Sequence, residues 1–460
     1  MTAAWRLAIC AVAWAATMSA WVRAEESHEV RGVVIDELTQ RPVPGAIVTI
    51  NGQVLPVDAG GAFVYSGSVD SVSARAPGYL RSKVDVAPNG DAQLHLELTP
   101  FRPKAVYLSA FGITNAALRE AAVQLQVTNG INALVIDVKG DRGVTPYQSK
   151  ARDSDGATGH AVKAPHLTDF AELLSNLHRR GFYLIGRIVV FKDDPLASAH
   201  PQWAVHTTNG SLWRDREHLQ WIDPFSSDAQ NHNIALAEEA AQLGFDEIQF
   251  DYVRFPDAQG LRFMHPSTEA SRTQAIDGFL RAAQSRLAPY NVFVAADIFG
   301  YVCWNTNDTA IGQQLELIST SVDYLSPMLY PSGFTWGIPD YPHPTATPGD
   351  IVRRSLANAV ARSGLPSTRF RPWLQAFPDY AFDHRVFGAE EIRLQVDAAE
   401  AEGTDGWMLW NPHNHYDPAQ LPEDADNGTG AVEPTTGNAL ERPAAARPPE
   451  RPGRAKTDDD

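Results

Sequence analysis

From Lys104 to Pro412 the chain repeats one pattern, an apolar run with the look of a strand followed by an amphipathic stretch with helical spacing. The strand-like runs are AVYLSAF, ALVIDVKG, YLIGRIVVF, EIQFDYVRFP, VFVAADIFG, VDYLSPMLYP, FRPWLQAF and GWMLWNP. Between them lie NAALREAAVQLQVTNG, LTDFAELLSNLHRRG, HNIALAEEAAQLG, RTQAIDGFLRAAQSRLA, IGQQLELIST, DIVRRSLANAVARSG and AEEIRLQVDAAEAEG. Strands apolar on both faces, alternating with helices, imply a parallel sheet covered on both sides. Eight strands over roughly 310 residues match a (β/α)8 TIM barrel. An open doubly wound sheet would place a glycine-rich phosphate loop after an early strand, and the sequence has none. Asn129-Gly130 and Gly181 stand where helix C-caps belong.

The segment before the barrel has a different pattern. HEVRGVVID, AIVTING, VDAGGAFVY, SVSARAPGYL and AQLHLELT are short β-like runs with close turn signals, which predicts a small all-β sandwich over 25–100. Gly45 turns the chain into the second strand, and Gly60-Gly61 are expected in a hairpin. The motifs VRGVVIDELTQRPVPGAIVTING, VDAGGAFVY and ARAPGYL resemble the carboxypeptidase regulatory-like domain. That resemblance implies a spacer or adhesive module without catalysis. Pro100 to Pro103 is the expected hinge, and 104–421 the barrel.

Residues 1–24 carry Arg6, an apolar run from Leu7 to Ala20, and Val22-Arg23-Ala24 at the end. This pattern predicts a secretory signal peptide, with an uncleaved anchor as the alternative. Export to the periplasm or the extracellular space follows. No later run approaches the roughly 18 apolar residues of a membrane helix, so no stable membrane insertion is expected. Removing the leader takes Cys10 with it and leaves Cys303 alone, so stability must come from a large core. The net charge of −17 disfavours nucleic acid and favours a neutral or cationic substrate. The 422–460 tail, rich in Pro, Ala, Arg, Glu, Asp and Gly, is expected to be disordered.

A barrel carries its site at the C-terminal strand ends, and strand side chains alternate between lumen and helices. On that alternation Asp251 of the fourth strand and Asp297 of the fifth face the lumen at similar height. Asp137 and Lys139 share a face of the second strand. Arg187, Tyr330 and Trp410 complete a ring from the third, sixth and eighth. Glycosidic hydrolysis needs two carboxyl groups across the scissile bond. Side chains on adjacent strands, about 4.8 Å apart, can hold carboxyls about 5 to 6 Å apart, the separation of a retaining mechanism. Asp251 is the candidate nucleophile and Asp297 the candidate acid/base. Arg254, Tyr301, Trp304, Tyr330, Trp336 and Trp410 join Asp137, Lys139 and Arg187 as candidate substrate-binding residues, because flat rings cover the C–H faces of sugars. The alternative for Asp137, Lys139 and Arg187 is a structural ion cluster. Trp373 and Trp407 are expected to fill core. Asp223 and Asp246 are expected as loop or cap residues. His413 and His415 lack further ligands at suitable spacing, so no metal or other cofactor is expected.

KAVYLSAFGI, LVIDVKGDRG, GRIVVFKDD, EIQFDYVRFP, AADIFGY, DYLSPMLYPS and GWMLWNP together resemble a bacterial family named "putative glycoside hydrolase" over about 104–415. The resemblance implies a (β/α)8 barrel distantly similar to α-amylase-like and α-galactosidase-like hydrolases. It implies an Asp nucleophile on the fourth strand, which Asp251 in QFDYVRFP matches. The fifth-strand acid of amylase-like enzymes is Glu, where this chain has Asp297, so the acid role is less firmly implied. The expected function is an exported glycoside hydrolase acting on a polysaccharide. A non-catalytic sugar-binding protein and a structural cell-envelope protein are the alternatives.

Overall fold

A computed structural model describes residues 29–86, 92–161 and 163–422. The expected leader, 1–24, and the tail from 423 onward lie outside the described residues. Seven strands form the N-terminal unit: β1 (Glu29–Asp36), β2 (Ile47–Ile50), β3 (Gln53–Pro56), β4 (Ala62–Ser66), β5 (Ser71–Arg75), β6 (Ser82–Asp85) and β7 (Ala92–Leu98). They make two sheets, β4-β1-β7 and β3-β2-β5-β6. Alternation places Val30 and Val34 of β1, Val48 and Ile50 of β2, Val72 and Ala74 of β5, and Leu96 and Leu98 of β7 in one shared core. Two strands escaped the sequence reading, β3 and β6. The tight hairpin lies at Asn51-Gly52, both with positive φ (49° and 75°), where Ile50 pairs with Gln53. The hairpin expected at Gly60-Gly61 is instead a crossing between sheets, because β3 pairs with β2 and β4 pairs with β1.

The barrel strands are β8 (Lys104–Leu108), β9 (Ala133–Lys139), β10 (Tyr183–Val189), β12 (Glu247–Asp251), β14 (Phe293–Phe299), β15 (Tyr324–Met328), β16 (Trp373–Gln375) and β17 (Trp407–Trp410). They close in sequence order, β17 pairing with β8. A two-stranded ribbon, β11 (His206–Thr207) with β13 (Leu261–Arg262), lies outside the ring. Helices such as Ala116–Asn129, Ser227–Leu243 and Pro348–Ser363 cover the strands. The fifth helix is shortened to Leu315–Ile318. Alternation divides the strand residues: Val106, Leu134, Ile136 and Ile248 pack outward on helices, while Ala105, Val135, Ile185, Ala295 and Met408 fill the lumen.

Closure depends on Gly406, at φ 73° immediately before β17. A Cβ there would stand 1.9 Å from the Pro103 carbonyl oxygen, which accepts the Trp407 N–H at 2.9 Å. The N-terminal unit seals the lower end of the barrel. Leu80 and Phe101 pack on the lumen cluster, the Gly78 N–H donates to the Tyr324 hydroxyl at 3.0 Å, and Arg81 pairs with Asp246 at 2.6 Å. Above this plug, buried Arg371 bridges Glu247 (2.6 Å) and Asp405 (2.8 Å). Asp223, expected in a loop, takes the Phe225 and Met264 amides at 3.0 and 2.6 Å. Among the described residues no helix is long and apolar enough to cross a membrane.

Candidate active site

The open end of the barrel holds a cavity of about 640 Å³ lined by the C-terminal strand ends and the loops beyond them. Phe250 pairs with Ala296, so the next residues, Asp251 at the end of β12 and Asp297 two residues before the end of β14, stand at one height on neighbouring strands. Both are buried and both line the cavity.

Arg187 organises the floor. Its Nε and Nη2 donate to Oδ2 of Asp251 at 2.9 and 2.5 Å, and its Nη1 donates to Oδ1 of Asp137 at 2.6 Å. The Tyr107 hydroxyl donates to the other Asp137 oxygen at 2.7 Å. Tyr107 stacks on Trp410 with ring centres 4.0 Å apart, and the guanidinium lies 4.9 Å from the Trp410 ring. The second Asp251 oxygen accepts the Tyr252 amide at 2.5 Å. Tyr252 has φ 48°, a conformation uncommon for a bulky residue, which brings that amide back onto the carboxylate. The Asp251 carboxyl is therefore held at both oxygens.

Asp297 is held at one. Oδ1 accepts the Trp373 indole N–H at 2.8 Å, and Oδ2 is buried without a hydrogen-bond partner. Burial, then the neighbouring charge of Asp251, pushes its pKa well above the ordinary carboxylate value; Arg187 and Trp373 oppose that shift. Burial also raises Asp137, against Arg187 and Tyr107. The cavity floor thus combines a carboxyl whose pKa is pushed upward by burial with one gripped by an arginine and an amide.

Of the residues singled out in the sequence, Asp137, Arg187, Arg254, Tyr301, Tyr330 and Trp410 line the cavity with the two aspartates. Lys139 does not. Asp137 pairs with Arg187 but Lys139 pairs with Ile188, so β9 carries one extra residue. This bulge turns Lys139 out of the lumen, where its Nζ donates to Asp193 at 2.6 Å and to Asn233 at 2.7 Å. Trp304 also leaves the site, packing on the outer core and donating to Ser355 at 3.0 Å. Trp336 is 82% exposed and reaches the cavity only through Tyr301, its ring 5.7 Å away. Trp407 fills outer core as expected, whereas Trp373 faces the lumen and binds Asp297. The sequence reading also missed Tyr107. The alternation of Ala105 and Tyr107 in β8 carries the signal that placed Asp251. Phe377 and Tyr380, stacked at 6.2 Å on the loop after β16, line the cavity too.

The profile of the family described as "Putative glycosyl hydrolase domain" matches residues 105–416, about two thirds of the chain. The chain belongs to this family. The glycosyl hydrolase domain therefore spans the whole barrel, and the family match does not include the β-strand unit before it. No curated protein matches the chain. Among solved structures, a hypothetical protein from Ruminiclostridium thermocellum ATCC 27405 is 34% identical, over 42% of this chain and 96% of that one, with a TM-score of 0.37. The PgaB (BpsB) glycoside hydrolase domain from Bordetella bronchiseptica is 16% identical over 68% and 95%, TM-score 0.49. A chitinase from Chromobacterium violaceum ATCC 12472 is 14% identical over 69% and 96%, TM-score 0.42.

Proposed function

We propose that this chain hydrolyses glycosidic bonds of a polysaccharide with Asp251 as nucleophile and Asp297 as general acid and base. The observation that carries the reading is the pair Asp251 and Asp297 at one height in a cavity of sugar-accommodating size, with one Asp297 oxygen buried and unpartnered; burial and the charge of Asp251 push the Asp297 carboxyl above the ordinary carboxylate range. In the first step an Asp251 oxygen bonds to the anomeric carbon while Asp297 gives its proton to the departing glycosidic oxygen. In the second, Asp297 takes a proton from water, whose oxygen displaces Asp251 and restores the anomeric configuration. Arg187 and the Tyr252 amide orient the nucleophile. Tyr107, Trp410, Tyr330 and Tyr301 offer apolar faces with polar edges, the surface a pyranose ring needs. The leader pattern of residues 1–24 supports export, to the periplasm or beyond the cell, where such polymers are met.

The test is a glycan panel with product anomers followed by NMR, using the unaltered protein and Asp251→Asn. Hydrolysis with retention in the first, and glycan binding without turnover in the second, supports the reading. Binding without turnover in both forms returns the protein to the class of non-catalytic sugar binders.

A further inference from the structure

We propose that the glycan taken by this cavity carries carboxylate groups, as a hexuronate polymer does, and that Arg254 and Arg142 clamp one of them. This rests on the glycosidase reading and adds the substrate's chemical class.

Among the described residues, the four fully buried arginines each face a carboxylate. Arg75 has Asp323 at 3.6 Å, Arg152 has Asp193, Arg187 has Asp137 and Asp251, and Arg371 has Glu247 and Asp405. Arg254 does not follow them. It is half-buried and lines the cavity, and among the described residues no acid pairs with it. Its one hydrogen bond runs from Nη1 to the Phe255 carbonyl at 3.1 Å. Its guanidinium carbon lies 5.0 Å from the Trp221 ring centre and 5.1 Å from that of Tyr252. Two rings thus flank the guanidinium before any ligand arrives, which removes part of the ordering cost of binding, while its remaining N–H donors have no acceptor among the described residues. A planar guanidinium with free donors fits a carboxylate bidentately.

Arg142 lines the same cavity from the loop after β9 and is exposed, with no ion pair among the described residues. The neighbouring Asp141 lies 4.0 Å from Lys192, a cation already shared with Glu217 and Asp215. The loop is anchored immediately after Arg142, at Gly143. Gly143 has φ 68°, and a Cβ there would stand 2.7 Å from Pro195 and 2.8 Å from Asp193. Its carbonyl accepts from Arg152 at 2.8 Å, while Asp193 ties Arg152 to Lys139. The buried ion cluster that took Lys139 out of the lumen therefore holds Arg142 at the rim.

Acids outnumber bases 55 to 38 in this chain, so two arginines without carboxylate partners at one cavity are not explained by a shortage of acids. The overall negative charge slows capture of a polyanion, but beyond a Debye length of about 8 Å that field is screened at physiological salt. The cavity is also lined by Asp137, Asp251, Asp297 and Asp141; Asp137 and Asp251 are bound to Arg187 and Asp141 faces Lys192, so Arg254 and Arg142 are, among the described residues, its cations without an acidic partner.

The experiment is calorimetric binding by the full chain carrying Asp297→Asn, a neutral, near-isosteric substitution that removes the proposed proton donor and so slows turnover during the titration. The probes are hexuronate oligosaccharides, the same oligosaccharides after carboxyl reduction, and sulfated neutral oligosaccharides. The expected result is at least tenfold tighter binding of one uronate series than of its reduced form. That ratio falls to about one in Arg254→Gln, shrinks in Arg142→Gln, and is partly regained in Arg254→Lys. Equal binding of native and reduced oligosaccharides overturns the carboxylate assignment, as does preference for the sulfated probes; both leave the glycosidase reading standing. If no glycan binds and the unaltered protein turns none over, both readings fall.

Discussion

Trp373 donates to one oxygen of Asp297 at 2.8 Å, and the other oxygen has no partner. That hydrogen bond favours the ionised form, against burial and the charge of Asp251. Trp373→Phe removes the donor and keeps a ring, so it moves the alkaline limb of the pH–activity profile to higher pH. A steady-state pH profile checks this. The same carboxyl sets a pH dependence of stability. Its pKa is raised in the folded state, so the proton-linked stability is complete below the ordinary value of 3.8 and is lost as pH rises through the raised value. Asp297→Asn cannot ionise and should therefore melt higher than the parent at about pH 8, by on the order of 2 °C, and nearly level with it at about pH 4. Calorimetry at the two pH values checks the sign. Alternation alone was enough to place Asp137, Arg187, Asp251 and Asp297 in the lumen. It failed at Lys139 because a one-residue bulge in β9 leaves no trace in the pattern of apolar residues. Trp373 reads as core filling in the sequence because tryptophan satisfies both a core and a site, and only its neighbour, Asp297, decides which.

β17 reaches β8 through Gly406, and the contact leaves no room for a side chain. Gly406→Ala must move the Pro103 carbonyl and lose the Trp407 hydrogen bond that closes the ring, at a cost of about 3 kcal/mol or more. The midpoint of urea unfolding measures it. The strand–helix repeat was legible because each barrel strand is apolar on both faces and each helix on one. The fifth helix was overextended in the sequence reading for a physical reason. Gln313, inside the expected helix, accepts the Phe299 amide at 2.9 Å and donates to the Asp297 carbonyl at 3.0 Å. The chain stays irregular there to brace the end of β14, which carries Asp297. The hairpin assigned to Gly60-Gly61 failed because a glycine turn identifies a change of direction, not the strand that pairs next.

The whole molecule has a sealed end and an open end. The β-strand unit plugs the sealed end with Leu80, beside Phe101 of the hinge, and supplies Arg75 and Arg81 to Asp323 and Asp246. Deleting residues 29–100 leaves Asp323 buried without its arginine and uncovers apolar lumen, so the melting temperature falls by several degrees. KM on any hydrolysed glycan should hold, since no residue of that unit lines the cavity. Two units were legible in the sequence from the change of period between them, but their docking was not, because the contacts join residues more than a hundred positions apart. The central claim is that Asp297 delivers a proton to a leaving group while Asp251 attacks. It is tested most directly by turnover of matched glycosides with poor and with activated aryl leaving groups. Asp297→Asn should lose roughly 10²–10⁴-fold on the poor leaving group and far less on the activated one, whereas Asp251→Asn loses both. Equal losses on the two substrates in Asp297→Asn, or retained turnover in Asp251→Asn, contradicts the account.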